Sequence, residues 1–151
     1  RTLLAPHERG LGMVFQNAAL WPHLTVSQNI LYGVKNGSKE DHRSLISPLL
    51  EQLEIAGLEG RYPGEISGGQ ARRVALARAL APQPHYLLMD EPLVNLQPEL
   101  KASLLTFTLD WVQEHGASLL YVTHDPAEVE RIPGRRYLMQ DGRLQETGVG
   151  P

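Results

Sequence analysis

Two adjacent carboxylates, Asp90 and Glu91, follow an apolar run at residues 86–89 and precede Pro92. The run Tyr-Leu-Leu-Met is typical of a buried parallel strand. Open α/β sheets bind their ligands at the carboxyl ends of the strands, so both acids lie where a ligand is expected. Successive strand residues point to opposite faces of a sheet. We therefore expect Asp90 and Glu91 to have different tasks.

A second stretch, Ile-Ser-Gly-Gly-Gln at residues 66–70, has the pattern of a helix start. Ser67 can accept a hydrogen bond from a backbone N–H of the first turn, and Gln70 follows three residues later, as in a capping box. Gly68 and Gly69 each cost about 1 kcal/mol relative to Ala in a helix, so stability does not explain them. They let another group approach the backbone, and a helix N-terminus attracts anions such as phosphate.

Taken together, residues 66–70, 73–80 and 87–92 resemble the signature helix and the Walker B strand of ABC ATPases, in that family's order and spacing. The resemblance implies an α/β fold of the P-loop NTPase type, with a partial core of parallel strands and an inserted α-helical subdomain. A capped amphipathic helix followed by a core strand also describes these residues, but it explains neither the glycine pair nor the acid pair.

The resemblance also implies functions for individual residues. Asp90 is expected to hold Mg²⁺ through water, and Glu91 is expected to be the general base or to position the attacking water. The residues expected to bind ATP are those of the helix start: Ser67, Gly68, Gly69 and Gln70.

Two further polar residues gain a function only through the resemblance. Gln16 follows the apolar residues 12–15 and resembles the Q-loop glutamine, which contacts Mg²⁺ and the attacking water and senses the membrane partner. His124 follows a second apolar run at residues 118–122 and resembles the H-loop histidine, which contacts the γ-phosphate. Without the family, Gln16 is an ordinary polar loop residue and His124 an ordinary cap or surface residue.

The stretch at residues 20–30 resembles the Phe-Pro-His-Leu-Thr-Val-x-x-Asn segment of bacterial ABC import ATPases. In those proteins the segment contributes to a groove that receives a cytoplasmic helix of the transporter. Trp21 and Leu24 are the candidate groove residues, and packing in the core is the alternative for both.

Apolar spacing and turn residues predict the elements that position these residues. We expect strands at residues 12–15, 86–89 and 118–122, the last two buried, and a hairpin of 136–140 and 143–146 around Asp141-Gly142. We expect helices at 26–34 after Thr25, at 42–53 with a kink or break at Pro48, and from Pro98 to about His115; the remaining two are at 67–80 and 126–131.

The chain is expected to divide into three regions. Residues 1–16 contribute a loop, a strand and the Q-loop to the ATPase core. Residues 17–82 form a helical signature subdomain. Residues 83–151 complete the core with the Walker B strand, the D-loop, the H-loop and the terminal hairpin.

Composition excludes several classes of protein. The chain has 151 residues, 42% of them hydrophobic, which suffices for one domain with a core. The net charge of −3 argues against nucleic-acid binding. There is no cysteine and no apolar run of membrane-spanning length, and we expect no signal peptide.

The sequence also departs from the family. It contains no Gly-x-x-x-x-Gly-Lys-Ser/Thr phosphate loop, since none of its lysines (Lys35, Lys39, Lys101) follows a glycine. We therefore expect a C-terminal portion of an ABC ATPase that is inactive by itself, with exposed edge strands that promote association. In the D-loop, Val94 and Gln97 stand where the family usually has Ser and Asp, which puts catalytic coupling in doubt.

Three functions remain open. The first is the ATP-binding and ATP-hydrolysing subunit of an importer, peripheral to the cytoplasmic face of the inner membrane, with ATP and Mg²⁺ as cofactors. Its expected partners are membrane permease subunits, a second ATPase subunit in a head-to-tail dimer and a substrate-binding protein. The second is a catalytically silent module that binds partners but not nucleotide. The third is a non-transport ABC ATPase.

Overall fold

The computed structural model describes residues 4–5, 8–35 and 37–150, so the predicted loop at 1–10 and the turn around Asn36 lie partly outside it. In chain order, the elements are β1 (Leu11–Val14), α1 (Val26–Leu31), α2 (Lys39–Gln52), α3 (Gly68–Leu80), β2 (Tyr86–Asp90), α4 (Pro98–Glu114), β3 (Ser118–Val122), α5 (Pro126–Arg131), β4 (Arg135–Gln140) and β5 (Arg143–Val149).

The chain divides into two compact units after Tyr121, and each is described by itself. The first unit holds β1, β2, all of β3 but its last residue, and helices α1 to α4, and the second holds α5 and the hairpin. The finer division into residues 1–16, 17–82 and 83–151 stays a prediction.

A three-stranded sheet in the order β1-β2-β3 forms the centre of the first unit. β1 and β2 run parallel, with Leu11 beside Tyr86 and Val14 beside Met89. The parallel core predicted from the apolar runs is therefore confirmed. In β2 the side chains of Leu87 and Met89 are buried, whereas Tyr86 at the start of the strand is exposed.

The prediction that β3 is a buried strand is wrong. Its side chains alternate between half-buried and exposed, and 60% of Leu120 and 49% of Val122 are exposed. Among the described residues β3 pairs with β2 alone, as an edge strand. Parallel strands are fully buried only where other elements cover both faces, which an apolar run by itself does not reveal. Association of the chain through this edge stays a prediction.

Capping boxes set the starts of helices α1, α2 and α3. Thr25 with Gln28 begins α1, and Ser67 with Gln70 begins α3, both as predicted. Ser38 with Asp41 begins α2 three residues before the predicted start, because this pair supplies a cap that the apolar pattern does not show.

Two helix interiors differ from expectation. Pro48 lies within a continuous α2 and neither breaks nor divides it; the residue is exposed, so the lost backbone hydrogen bond lies at the surface. Helix α1 ends at Leu31, three residues early, and Gly33 follows shortly after. Helix α4 spans Pro98–Glu114, close to its predicted bounds.

The core of the first unit lies between α1, α2, α3 and the sheet. Helix α3 is buried around most of its circumference, because it packs against α1 and α2 on one side and against β1 on the other. The largest fully buried apolar side chains are Val26, Ile30, Leu53, Ile55, Val74, Leu80, Leu87, Met89 and Leu105.

Gly12 in β1 allows the close contact between α3 and the sheet. A Cβ at this position would lie 2.7 Å from the carbonyl oxygen of Ala79 and 2.9 Å from Cγ of Pro84. The first neighbour is backbone within a helix and cannot move by itself. Only glycine therefore fits between β1 and the last turn of α3.

The second unit contains α5 and a two-stranded antiparallel sheet of β4 and β5. Asp125 begins α5, since its Oδ1 accepts a hydrogen bond from the N–H of Ala127. Gln140 pairs with Arg143 across Asp141-Gly142, and both turn residues have positive φ, 50° and 73°. This is the geometry that an Asp-Gly hairpin turn favours, so the predicted hairpin is confirmed.

We expect Gly12→Ala to lower the free energy of unfolding by about 1–3 kcal/mol, because the added methyl forces α3 away from β1. Urea denaturation followed by circular dichroism measures the change. Gly60→Ala is the matched control, since a Cβ there meets nothing within 4 Å. Equal stability of the two variants would show that α3 does not rest on Gly12.

Candidate functional site

The parallel register of β1 and β2 brings Gln16 and Glu91 together. Val14 lies beside Met89, and the two polar residues each follow two positions later at the same edge of the sheet. Nε2 of Gln16 donates a long hydrogen bond of 3.5 Å to Oε2 of Glu91. Two residues that lie 75 positions apart in the chain are thus neighbours at the carboxyl ends of adjacent strands, where α/β sheets bind ligands.

The two acids after the apolar run have different backbone surroundings. Asp90 is the last residue of β2 and is exposed, whereas Glu91 has left the strand with φ of +43° and is half-buried. Left-handed backbone costs a non-glycine residue about 1–2 kcal/mol. The two acids therefore differ in backbone conformation and in exposure, while their different tasks stay a prediction.

The donor atoms at this edge fit magnesium. Asp90 offers an exposed carboxylate, and Gln16 keeps an amide oxygen while its nitrogen faces Glu91. Mg²⁺ prefers oxygen ligands, and proteins usually hold it with one or two carboxylates together with substrate phosphates and water. Among the described residues there is no cluster of three or more His, Cys, Asp or Glu side chains that could hold a metal alone.

The start of α3 is polar, with Ser67 and Gly68 exposed and Gly69 and Gln70 half-buried. Oγ of Ser67 accepts a hydrogen bond of 3.2 Å from the N–H of Gln70, and Oε1 of Gln70 accepts one of 2.9 Å from the N–H of Ser67. A Cβ on Gly68 would meet nothing within 4 Å, and one on Gly69 would meet only Leu100, at 4.0 Å. Packing within the described chain therefore does not require either glycine. The approach of another molecule to this pair stays a prediction.

The D-loop segment after Glu91 forms a turn that ends at α4. The N–H of Val94 donates a hydrogen bond of 3.4 Å to the carbonyl of Glu91, and Asn95 has a left-handed backbone with φ of +59°. Gln97 occupies the N-cap of α4, but its side chain makes no capping hydrogen bond. Asp, which the resemblance leads us to expect at this position, is a better N-cap residue than Gln.

His124 lies in the second unit, between the end of β3 and the start of α5, and its side chain is exposed. The residues on either side fix its backbone: Oγ1 of Thr123 accepts a hydrogen bond of 3.0 Å from the N–H of Asp125. The expected contact of His124 with the γ-phosphate stays a prediction.

Asn29 organises the segment that follows Gln16. Its side chain is fully buried, and Nδ2 donates to the carbonyls of Trp21, Leu24 and Thr25 at 3.0–3.1 Å. Its Oδ1 accepts a hydrogen bond of 2.8 Å from the N–H of Trp21. One buried amide thus satisfies four backbone groups of an irregular segment.

We expect Asn29→Ala to lower the free energy of unfolding by about 2–3 kcal/mol, since the N–H of Trp21 and the carbonyl of Leu24 lose their hydrogen bonds to the Asn29 side chain. Urea denaturation measures the loss, and the fluorescence of Trp21 reports the local change in a Trp111→Phe background. Asn17→Ala, at an exposed position of the same segment, is the control. Unchanged stability of Asn29→Ala would contradict this assignment.

A groove of about 820 Å³ lies in the first unit, and neither Trp21 nor Leu24, the expected groove residues, is among its described lining residues. Its walls come from the end of α1, the first turns of α2, the end of α3 and the start of β1, and they include Tyr32, Leu45 and Arg78. Trp21 is 43% exposed and its ring lies 5.5 Å from that of Tyr32, which is 65% exposed. Trp21 is thus a surface residue, not a core residue, whereas Leu24 is half-buried.

Two charged residues at the groove have shifted pKa values. Hydrogen bonds from the backbone and then the side chain of Ser38 lower the pKa of Asp41 below its usual value. Burial lowers the pKa of the Arg78 guanidinium, which donates to backbone carbonyls of the segment after Gln16. Sequence reasoning assigned no function to Arg78 or to Asn29. The signal for Asn29 was its position on the buried face of α1, four residues after Thr25.

None of the helices in the described ranges combines the length and the apolar character needed to cross a membrane.

The comparison with protein families agrees with this geometry. The chain belongs to the ABC transporter family, whose model matches residues 3–94. The family resemblance and the α/β fold of the P-loop NTPase type, both expected from the sequence, are thereby confirmed.

Individual relatives are similar along almost the whole chain. It is 44% identical to an Fe(3+) ions import ATP-binding protein of Fusobacterium nucleatum, covering 96% of this chain and 40% of the relative. It is 42% identical to a spermidine/putrescine import ATP-binding protein of Acidothermus cellulolyticus (98% and 39%) and 41% identical to a sulfate/thiosulfate import ATP-binding protein of Gloeobacter violaceus (93% and 42%). The chain therefore spans about two fifths of the length of these relatives.

Proposed function

We propose that this chain is the part of an ABC import ATPase that carries the signature helix and the catalytic carboxylate, and that it binds and hydrolyses ATP as part of the assembled transporter. The observation that carries the proposal is the pairing of Gln16 with Glu91 at the carboxyl ends of two parallel strands. The exposed start of α3 supports it independently, because it offers backbone N–H groups to an anion.

In the proposed reaction, water attacks the γ-phosphorus of ATP and the bond from that phosphorus to the β–γ bridging oxygen breaks. Glu91 accepts a hydrogen bond, and finally a proton, from the water, while Gln16 orients both. His124 contacts the γ-phosphate. Phosphoryl transfer requires little covalent chemistry from the protein, so positioning and charge stabilisation account for most of the catalysis.

Asp90 and Gln16 are the residues that would hold Mg²⁺, and the ion supplies charge neutralisation on the phosphates when it is bound. Ser67, Gly68, Gly69 and Gln70 contact the phosphates of ATP held by a second ATPase subunit in a head-to-tail dimer. This assignment accounts for the glycine pair, whose open surroundings allow a ligand to reach the backbone.

The proposed partners follow from the groove and from the relatives. A permease helix from the membrane subunits would dock at the groove beside Trp21 and Tyr32, on the cytoplasmic face of the inner membrane. A substrate-binding protein completes the importer. The similar relatives are named for iron, sulfate and polyamine import, which supports a transported solute chosen by other subunits.

We expect Glu91→Gln to retain ATP binding in the assembled transporter and to lower the rate of ATP hydrolysis about 100-fold or more, because the amide cannot accept the proton. Phosphate release and nucleotide binding are measured on the same preparation. Glu99→Gln, in the exposed first turn of α4, is the control and retains normal turnover. Near-normal hydrolysis by Glu91→Gln would refute the role of Glu91.

We expect Gly68→Ala to separate the function of α3 from its stability. The methyl group enters open space in the chain, and Ala favours the helix by up to about 1 kcal/mol, so stability is unchanged or raised. The same methyl group faces the approaching phosphates, so ATP hydrolysis by the assembled transporter falls at least about tenfold. Gly64→Ala, also in open space, is the control. Full hydrolysis by Gly68→Ala would contradict the proposed phosphate contact.

A second candidate function, a silent module that binds partners but not nucleotide, is favoured by Val94 and Gln97 in the D-loop. The 151 residues also contain no phosphate-loop lysine, so we expect the isolated chain not to hydrolyse ATP. Calorimetric titration of the chain with Mg-ATP, followed by the hydrolysis assay in the assembled transporter, separates the candidates. Hydrolysis that depends on Glu91 supports the ATPase, and its absence supports the silent module.

A further inference from the structure

Arg78 joins α3 to the segment that carries Gln16. Its Nη1 donates a hydrogen bond of 2.7 Å to the carbonyl of Ala19, and its Nη2 donates one of 3.0 Å to the carbonyl of Ala18. These carbonyls lie two and three residues after Gln16. In the part of the chain that the structure describes, Arg78 makes no ion pair with a carboxylate, so its guanidinium serves these two backbone groups.

Ala19 is held in an unfavourable conformation. Its φ of +44° lies in the left-handed region, which costs a residue with a Cβ about 1–2 kcal/mol. Such a conformation persists only where the surroundings determine it. The two parallel N–H groups of the Arg78 guanidinium provide that determination, because they bind two successive carbonyls at once.

We propose that Arg78 is a positioning residue, which fixes the segment after β1 so that Gln16 reaches Glu91. The position of Gln16 then depends on the position of α3. Helix α3 spans roughly 16 Å from Ser67 to Arg78, at 1.5 Å per residue. A displacement of the exposed tip of α3 therefore reaches Gln16 through a stiff helix and two hydrogen bonds. The consequence for hydrolysis rests on the function proposed above, whereas the positioning itself does not.

Arg73 provides a matched control on the same helix. Its Nη1 donates to the carbonyls of Leu53 and Glu54 at 3.2 and 3.4 Å, and to Oε2 of Glu54 at 2.8 Å. Glu54 is itself left-handed, with φ of +52°. Both arginines thus bind a left-handed residue and the residue before it, but only Arg78 binds the segment of Gln16.

The test measures the side-chain amide resonances of Gln16 by ¹⁵N NMR in the 151-residue chain, assigned with Gln16→Ala. We expect Arg78→Met to shift or broaden these resonances and Arg73→Met to leave them in place. Arg78→Lys keeps the aliphatic stem and the charge but loses the two-pronged geometry, so it serves as the second variant if Arg78→Met fails to fold. We expect it to shift the Gln16 resonances as well.

Hydrolysis by the assembled transporter gives the second readout. We expect Arg78→Lys to lower kcat severalfold with KM for ATP nearly unchanged, and Arg73→Lys to leave both near normal. Gln16 resonances that stay in place in the Arg78 variants would overturn the positioning role, whatever happens to hydrolysis. Shifted resonances with normal kcat would keep Arg78 as the anchor and overturn the proposed role of Gln16 in the reaction.

Discussion

The parallel pairing of β1 with β2 is the constraint on which the candidate site depends. It sets Val14 beside Met89, so that the chain emerges from both strands at one edge, two residues before Gln16 and Glu91. A slip of one residue would reverse which side chains face the core, so the burial of Val14 and Met89 fixes the register. Core packing and the geometry of the site are therefore set by the same set of contacts.

Helix α3 connects this edge to the rest of the unit. Its shaft carries mostly small and medium apolar side chains, which let it approach α1 on one side and β1 at Gly12 on the other. Its first turn differs, since Gly68 is exposed, Gly69 and Gln70 are half-buried, and the turn has glycine where a buried helix start would have larger residues. One element thus combines a rigid position in the core with an open N-terminus, which is the combination that a contact with an outside ligand requires.

Local chemistry made much of this predictable from the sequence. The capping boxes at Thr25 and Ser67 and the Asp-Gly hairpin depend on residues within a few positions of one another, and all three are present. The exposure of β3 was not predictable, because an apolar run does not reveal what lies on each face of the strand. The start of α2 was missed because Ser38 and Asp41 cap it ahead of the first apolar residue.

The site itself divides in the same way. Gln16 and Glu91 could be named from their positions after apolar runs and from the family pattern, but their contact depends on a register between strands 75 residues apart. Asn29 and Arg78 lie within longer sequence motifs, and the sequence alone indicated no function for either residue. Both side chains are important because they donate hydrogen bonds to backbone carbonyls. Every residue has a backbone carbonyl, so the sequence does not show which ones a side chain will bind.

Non-glycine residues with a left-handed backbone conformation mark positions where the fold is less stable locally. Six non-glycine residues in the described ranges have positive φ, and three of them, Ala19, Glu91 and Asn95, lie in the segments that follow β1 and β2. A fourth, Glu54, is held by Arg73 in the way that Ala19 is held by Arg78. At Glu54 the anchor joins α3 to the end of α2, far along the chain from the acids. At Ala19 the same type of hydrogen bonding lies three residues from Gln16. A shift of the backbone there would move the Gln16 side chain, which contacts Glu91. The same interaction is thus structural at one end of α3 and sets the geometry of the candidate site at the other.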